Sequence, residues 1–178
     1  MQLSGNSLKA IFLDRDGVLN KCININRKCF APINFKSFKL YPYVRSSIRK
    51  LKEKKYLIIV ITNQPDVKKK IIKKSQVNKF NLKLKNYFKL DDIFVCFSNN
   101  NKNYRRKPNP GMLLEAKNKW NINFKKSYFV GDRKSDIDAG IKVGVKTIFV
   151  DRNYKEKKPV NYNYKIKNLN KIKSLVKK

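Results

Sequence analysis

Residues 10–20, Ala-Ile-Phe-Leu-Asp-Arg-Asp-Gly-Val-Leu-Asn, restrict this chain more than any other segment. The apolar run Ala10-Ile11-Phe12-Leu13 has the length and character of a buried strand. It ends in Asp14 and Asp16. Residues two apart on extended backbone share a face, so the two carboxylates address one point in space. Gly17 follows, where a turn or a close backbone approach needs a residue without Cβ. The chain has 12 acidic residues against 44 basic ones, so a pair of acids at one strand end stands out. Such a pair suits a hard cation together with nucleophilic and acid–base chemistry. The plainer reading is a solvated turn that happens to carry aspartate.

The remaining pattern alternates strands and helices. Strands are expected over residues 8–14, 57–62, 93–97, 127–131 and 145–150. Helices are expected over 43–54, with Val44, Ile48 and Leu51 on one face, and over 75–88, with Val77, Phe80, Leu84 and Phe88 on one face. Further helices are expected over 110–120, opened by Pro110, and over 135–143, closed by Gly144. This order predicts an α/β fold: a doubly wound, Rossmann-like parallel sheet of about five strands with helices on both faces. Right-handed crossovers bring the loops after the first, second and fourth strands to one edge, and ligands bind at the carboxyl ends of such strands. The folded domain is expected over 1–152. The basic tail, 153–178, is expected as an extension packed on that domain or trailing from it, with a last helix near 169–176.

Four blocks in order carry a resemblance. Asp14-Arg15-Asp16-Gly17-Val18-Leu19-Asn20 resembles motif I of the haloacid dehalogenase (HAD) superfamily in its phosphatase form. The strand ending in Thr62-Asn63 resembles motif II. Arg106-Lys107-Pro108-Asn109-Pro110-Gly111-Met112 resembles motif III, and Gly131-Asp132-Arg133 with Asp136 resembles motif IV. Within the superfamily, Thr62-Asn63-Gln64 and the Lys-Pro-x-Pro-Gly-Met phrase are similar to the histidinol phosphatase and D-glycero-D-manno-heptose-1,7-bisphosphate phosphatase group, the heptose enzymes above all.

The resemblance implies a phosphomonoesterase. Asp14 is the implied nucleophile, forming an aspartyl phosphate, and Asp16 the implied general acid and base. Mg²⁺ is implied, on Asp14, the Asp16 carbonyl, Asp132 and waters, with Asp136 acting through water or orienting another group. Thr62 and Asn63 would bind the phosphoryl group, and Lys107 would offset its charge. Arg106 is the candidate for a contact outside the transferred group, its fork suiting a second phosphate or a carboxylate. Read alone, Thr62 is equally a strand-end cap, Asp136 a helix N-terminal acid, and Lys107 one lysine among many. Arg15 and Arg133 read as solvated or structural.

Two departures bear on the likeness. The relatives' zinc loop has a Cys-x-His pair and a later Cys-x-Cys. Here Ser98 stands two residues after Cys96, where His is expected, with Asn103 and Arg105 at the later positions. One thiol does not make a tetrahedral N/S site, so no zinc is expected. Pro65-Asp66-Val67 replaces a small, Gly-containing segment and is expected to alter the pocket rim. The gaps between motifs leave no room for a cap domain, so an open site should take its substrate preference from short loops, chiefly residues 21–39.

Composition narrows the class. The chain has 178 residues, 41% hydrophobic, which suits one domain. No apolar run approaches the roughly 20 residues of a membrane span. The polar stretch 1–9 lacks a signal peptide's apolar core. Three cysteines, Cys22, Cys29 and Cys96, read as reduced thiols of a cytoplasmic protein. The net charge of +32 would ordinarily point to a polyanion. Abundant Lys, Asn and Ile read instead as an AT-rich coding bias. The expected partner is a small phosphorylated metabolite, a sugar bisphosphate, acted on by a monomer; histidinol phosphate is the competitor, and a nucleic-acid 3′-phosphatase is the alternative of another class.

Overall fold

The computed structural model describes residues 7–176. Most of the N-terminal stretch 1–9 and residues 177–178 lie outside the described residues. The elements run β1 (Ala10–Leu13), β2 (Ile23–Ile25), β3 (Lys28–Phe30), α1 (Val44–Glu53), β4 (Leu57–Asn63), α2 (Lys74–Phe88), β5 (Asp92–Cys96), α3 (Gly111–Trp120), β6 (Tyr128–Gly131), α4 (Lys134–Val143), β7 (Lys146–Val150), β8 (Tyr164–Ile166) and α5 (Ile172–Leu175).

Six strands form a parallel sheet in the order β5-β4-β1-β6-β7-β8. Alternation along each strand feeds two separate cores. Ile11 and Leu13 of β1, Ile58 and Val60 of β4 and Val130 of β6 face α1 and α2 through Val44, Ile48, Leu51, Phe80 and Leu84. Ala10, Phe12, Ile59, Ile61 and Phe129 face the other way, onto Met112, Leu113 and Ala116 of α3 and Ala139 of α4. Both faces are covered, which is why these strands are apolar throughout rather than alternating. From β1 the chain steps outward through β4 to β5, then returns to β6 on β1's other side. The crevice of the fold therefore opens at the carboxyl ends of β1 and β6.

The doubly wound parallel sheet is as expected, and its six strands are compatible with the expected about five, the tail supplying the sixth. Tyr164–Ile166 pairs in parallel with β7, and Leu169, Ile172 and Val176 are buried against α1's core. Each such side chain contributes about 1.5–3 kcal/mol when fully buried. The last helical segment is shorter than expected, a 3₁₀ turn (Leu169–Lys171) leading into the four residues of α5.

The cysteines are also not all reduced: Cys22 and Cys29 form a disulfide, with Cα atoms 5.2 Å apart, and Cys96 is the free, buried thiol. The cause is the antiparallel hairpin of β2 and β3. Asn26 and Arg27 take positive φ at its turn and fold the two cysteines together. Among the described residues no helix is long and apolar enough to cross a membrane.

Candidate active site

The carboxyl ends of β1, β4 and β6 bring three of the four motifs together, and the loop before α3 delivers the fourth. Lys107 is the hub. Its Nζ lies 2.6 Å from Asp14 Oδ1, 2.7 Å from Asp136 Oδ1 and 2.8 Å from the Ile61 carbonyl, so all three ammonium donors have acceptors. The three side chains are buried. Asn63 fixes the backbone that carries the lysine: its Oδ1 accepts from the Lys107 N–H and its Nδ2 donates to the Lys107 carbonyl, both at 3.1 Å.

Asp14, Asp132 and Asp136 offer carboxylate oxygens within 4.8 Å of one another. One lysine does not balance three buried acids. Burial pushes the Asp14 carboxyl up to about 6, with Lys107 opposing and Asp136 and Asp16 adding to the rise. Burial, then Asp14 and Asp136, raises Asp132 well above the usual carboxylate range. Burial disfavours the Lys107 charge, but Asp136 and Asp14 outweigh it and raise its pKa.

Asp132 is the odd member. Both of its oxygens are buried without a partner in hydrogen-bond geometry, although the Tyr154 hydroxyl faces it closely enough to favour its charged form. An orphaned carboxylate beside two others is a donor set for a hard divalent cation. Asp136 differs again: Lys107 takes one oxygen and the Arg133 N–H reaches the other at 3.0 Å. Gly17, at φ +92°, brings backbone against Asp132; a Cβ there would collide with that carboxylate.

Asp16 lies beside this cluster in a cradle of its own. Arg15 Nη2 reaches its two oxygens at 3.0 and 2.9 Å, Asn20 Nδ2 donates at 2.8 Å and Gln64 Nε2 at 2.7 Å. Thr62 Oγ1 accepts from the same Gln64 amide at 2.9 Å. Arg15 is fully buried and structural.

A cavity of about 630 Å³ opens over Asp14 and Asp16 and is also lined by Asn63, Arg106, Lys107 and Asp136. Arg106 is held by Asn101 Oδ1 at 3.1 Å and the Ser98 carbonyl at 2.9 Å. Both acceptors are neutral, so its charge is uncompensated at the wall. The hairpin contributes Lys28, Cys29, Phe30 and Ala31, and Pro65 and Asp66 of the unusual segment after Gln64 reach the rim. The Cys96 thiol is buried beside Asn103 Oδ1 at 3.6 Å.

Sequence reasoning placed these motif residues in one region, but Gln64, Asn20 and Tyr154 were not singled out. Gln64 stands inside the Thr62-Asn63-Gln64 phrase and was within reach. Tyr154 lies in the tail, where no periodicity marks it. The Arg152 guanidinium, from the same segment, binds the Gly17 carbonyl at 2.8 Å and so fastens the tail to motif I.

Comparison with known proteins identifies the family. The family described as Polynucleotide kinase 3 phosphatase matches residues 9–174. The D-glycero-alpha-D-manno-heptose-1,7-bisphosphate 7-phosphatase of Photorhabdus laumondii is 33% identical over 158 residues, 82% of this chain and 83% of the relative. The Campylobacter jejuni enzyme of the same name is 33% identical over 169 residues, 92% and 93% of the two chains. The crystal structure of D,D-heptose 1,7-bisphosphate phosphatase from B. bronchiseptica, complexed with magnesium and phosphate, shares the fold with a TM-score of 0.80 at 20% identity, covering 94% of this chain and 97% of that one. The chain is a HAD-superfamily phosphatase and belongs to the polynucleotide kinase 3 phosphatase family, alongside bacterial heptose-bisphosphate phosphatases.

Proposed function

We propose that this protein is a Mg²⁺-dependent phosphomonoesterase that removes the 7-phosphate of D-glycero-D-manno-heptose-1,7-bisphosphate, in the cytoplasm, on the route to lipopolysaccharide. The observation that carries the chemistry is Asp14 held by Lys107 beside the partnerless Asp132. The relatives' names supply the substrate.

Lys107 holds Asp14 Oδ1 and leaves the other oxygen to attack phosphorus. As the phosphorus–oxygen bond to the sugar breaks, Asp16 gives its proton to the leaving alkoxide. Asp16 then takes a proton from the water that attacks the aspartyl phosphate, releasing inorganic phosphate and regenerating Asp14. Thr62 and Asn63 bind the phosphoryl oxygens in this reading. Asp14, Asp132 and the Asp16 carbonyl would hold the Mg²⁺, which offsets phosphate charge when bound. Asp136, with both oxygens already engaged, orients Lys107 and would help hold a bound Mg²⁺ through water. Arg106 receives the phosphate that is not cleaved, through a guanidinium fixed by neutral acceptors. No zinc is assigned: Ser98, Asn103 and Arg105 replace the ligands that would join Cys96.

The charge of +32 and the name of the matched family favour a second reading, a nucleic-acid 3′-phosphatase. A comparison of kcat/KM at about 150 mM salt, where exposed charges are screened beyond roughly 8 Å, separates the two. The substrates are heptose bisphosphate, histidinol phosphate and a 3′-phosphorylated oligonucleotide. Heptose bisphosphate is expected to lead by orders of magnitude, with EDTA abolishing turnover and elemental analysis finding no stoichiometric zinc. An oligonucleotide that leads overturns the sugar reading.

A further inference from the structure

We propose that Asn81, on α2 and outside all four motifs, is a positioning residue for the acid–base carboxylate, acting through Arg15. The buried residues of α2 are Val77, Phe80, Asn81, Leu84 and Phe88, and Asn81 is the polar one. A buried carboxamide on an apolar stripe is costly unless it has a partner. Its Oδ1 accepts from Arg15 Nη1 at 3.1 Å.

Arg15 is wholly buried, and its other side-chain hydrogen bonds all go to Asp16: Nε to Oδ1 at 3.3 Å, and Nη2 to Oδ1 at 3.0 Å and to Oδ2 at 2.9 Å. Among the described residues the guanidinium therefore has one hydrogen-bonding anchor that is not Asp16 itself, and that anchor is Asn81. Around it, Phe38 lies 5.8 Å from the guanidinium carbon and stacks on Phe80 of the same helix. These rings confine the guanidinium without fixing its rotation in its own plane; a hydrogen bond to Asn81 does.

The geometry has a direct consequence for proton transfer. A donor must lie within hydrogen-bond reach of the leaving oxygen, in a narrow orientation. Asn20 and Gln64 each hold one oxygen of Asp16, and Arg15 sets the plane of the carboxylate between them. Removal of the Asn81 acceptor frees the guanidinium to turn, and Asp16 turns with it. Outer hydrogen-bonding partners of metal ligands change activity by about 10–100-fold when removed, and a loss at the lower end of that range is expected here.

This inference rests on Asp16 as the proton donor of the phosphatase reaction, and the test reads that step. Breakdown of an alkyl phosphate needs a proton on the leaving alkoxide, whereas p-nitrophenolate is a stable anion and leaves without one. Because kcat/KM reports events through transfer to Asp14, the ratio of kcat/KM values for an alkyl phosphate and p-nitrophenyl phosphate isolates proton donation. The ratio is also independent of the fraction of enzyme that folds.

Asn81→Leu is expected to lower the alkyl value about tenfold and the p-nitrophenyl value by no more than about twofold. Asn81→Ala, a smaller perturbation of packing, should give the same ratio. Asn81→Asp keeps the acceptor oxygen and should return the ratio to within about threefold of the parent. Equal losses on both substrates, or no loss on either, overturn the proposal. A parent protein that cleaves other alkyl phosphates but not heptose bisphosphate defeats the substrate reading alone, and the ratio test still decides for Asn81. A parent that cleaves only p-nitrophenyl phosphate defeats the positioning role.

Discussion

The carboxyl edge of the sheet and the hairpin that overlooks it are built on opposite terms. At the edge, Asp14, Lys107, Asp132 and Asp136 are buried. They are fixed by strand ends and by one another, and they carry a charge imbalance that folding alone does not relieve. The hairpin residues Ile25 and Phe30 are exposed, and their geometry is set by a turn and a disulfide rather than by a packed core. The difference teaches where precision resides. Chemistry sits on rigid elements whose positions the sheet dictates. The surface that meets the rest of the substrate sits on a short strap that can vary without disturbing them.

The largest test of that contrast is Asp14→Asn. The substitution keeps shape and removes the nucleophile, so kcat should fall by about four orders of magnitude or more while the circular dichroism spectrum is unchanged. Near-parent turnover would remove the edge from the chemistry altogether.

Next in size is the coupling of metal to stability. The Asp14 carboxyl stands at about 6 in the folded, metal-free protein against 3.8 ordinarily, so between those values the folded state holds more protons than the unfolded one. Its contribution therefore favours folding at low pH and is lost as pH rises through about 6. Divalent cation should reverse the loss. Thermal melts are expected to show a larger Mg²⁺-induced rise in Tm at pH 7 than at pH 4.5, and an equal rise at both would contradict the three-carboxylate imbalance.

The smallest effect is expected at the hairpin. The Cys22→Ser, Cys29→Ser double variant loses about 2 kcal/mol of local stabilisation. Its kcat should stay within about threefold of the parent, and any change should fall on KM. A collapse of kcat would show that the strap belongs to the catalytic edge and not to a separate, tolerant layer.

How much of this was legible follows the same division. Apolar runs ending in acids or threonine announced β1, β4 and β6, because strands buried on both faces leave a continuous signal. Motif order then located Asp14, Lys107, Asp132 and Asp136 in one region. The disulfide was not legible, since a separation of seven residues acquires meaning only once Asn26 and Arg27 turn the chain. The strand Tyr164–Ile166 has three residues amid lysine and asparagine; it exists because β7 offers an open edge, which is tertiary context overriding local pattern. Asn81 was hidden for a related reason. Among Val77, Phe80, Leu84 and Phe88 it reads as an imperfection in an apolar stripe, and its purpose appears only with Arg15 opposite.

The fastening of the tail to motif I has a consequence for how the protein comes into being. Asp14 leaves the ribosome well before its neighbours in the sheet and cluster: β6, Lys107 and Asp132 follow about a hundred residues later. Arg152 and β8 come after those. At roughly 5–20 residues per second of synthesis, the central strand spends seconds beside β4 with its other edge bare. During that interval the nascent chain has an apolar, unpaired strand and unbalanced acids, and no finished site. Newborn molecules thus depend on Arg152 and β8 to close over motif I and the sheet, so a chain stopped short of residue 152 is expected to be both inactive and exposed to aggregation.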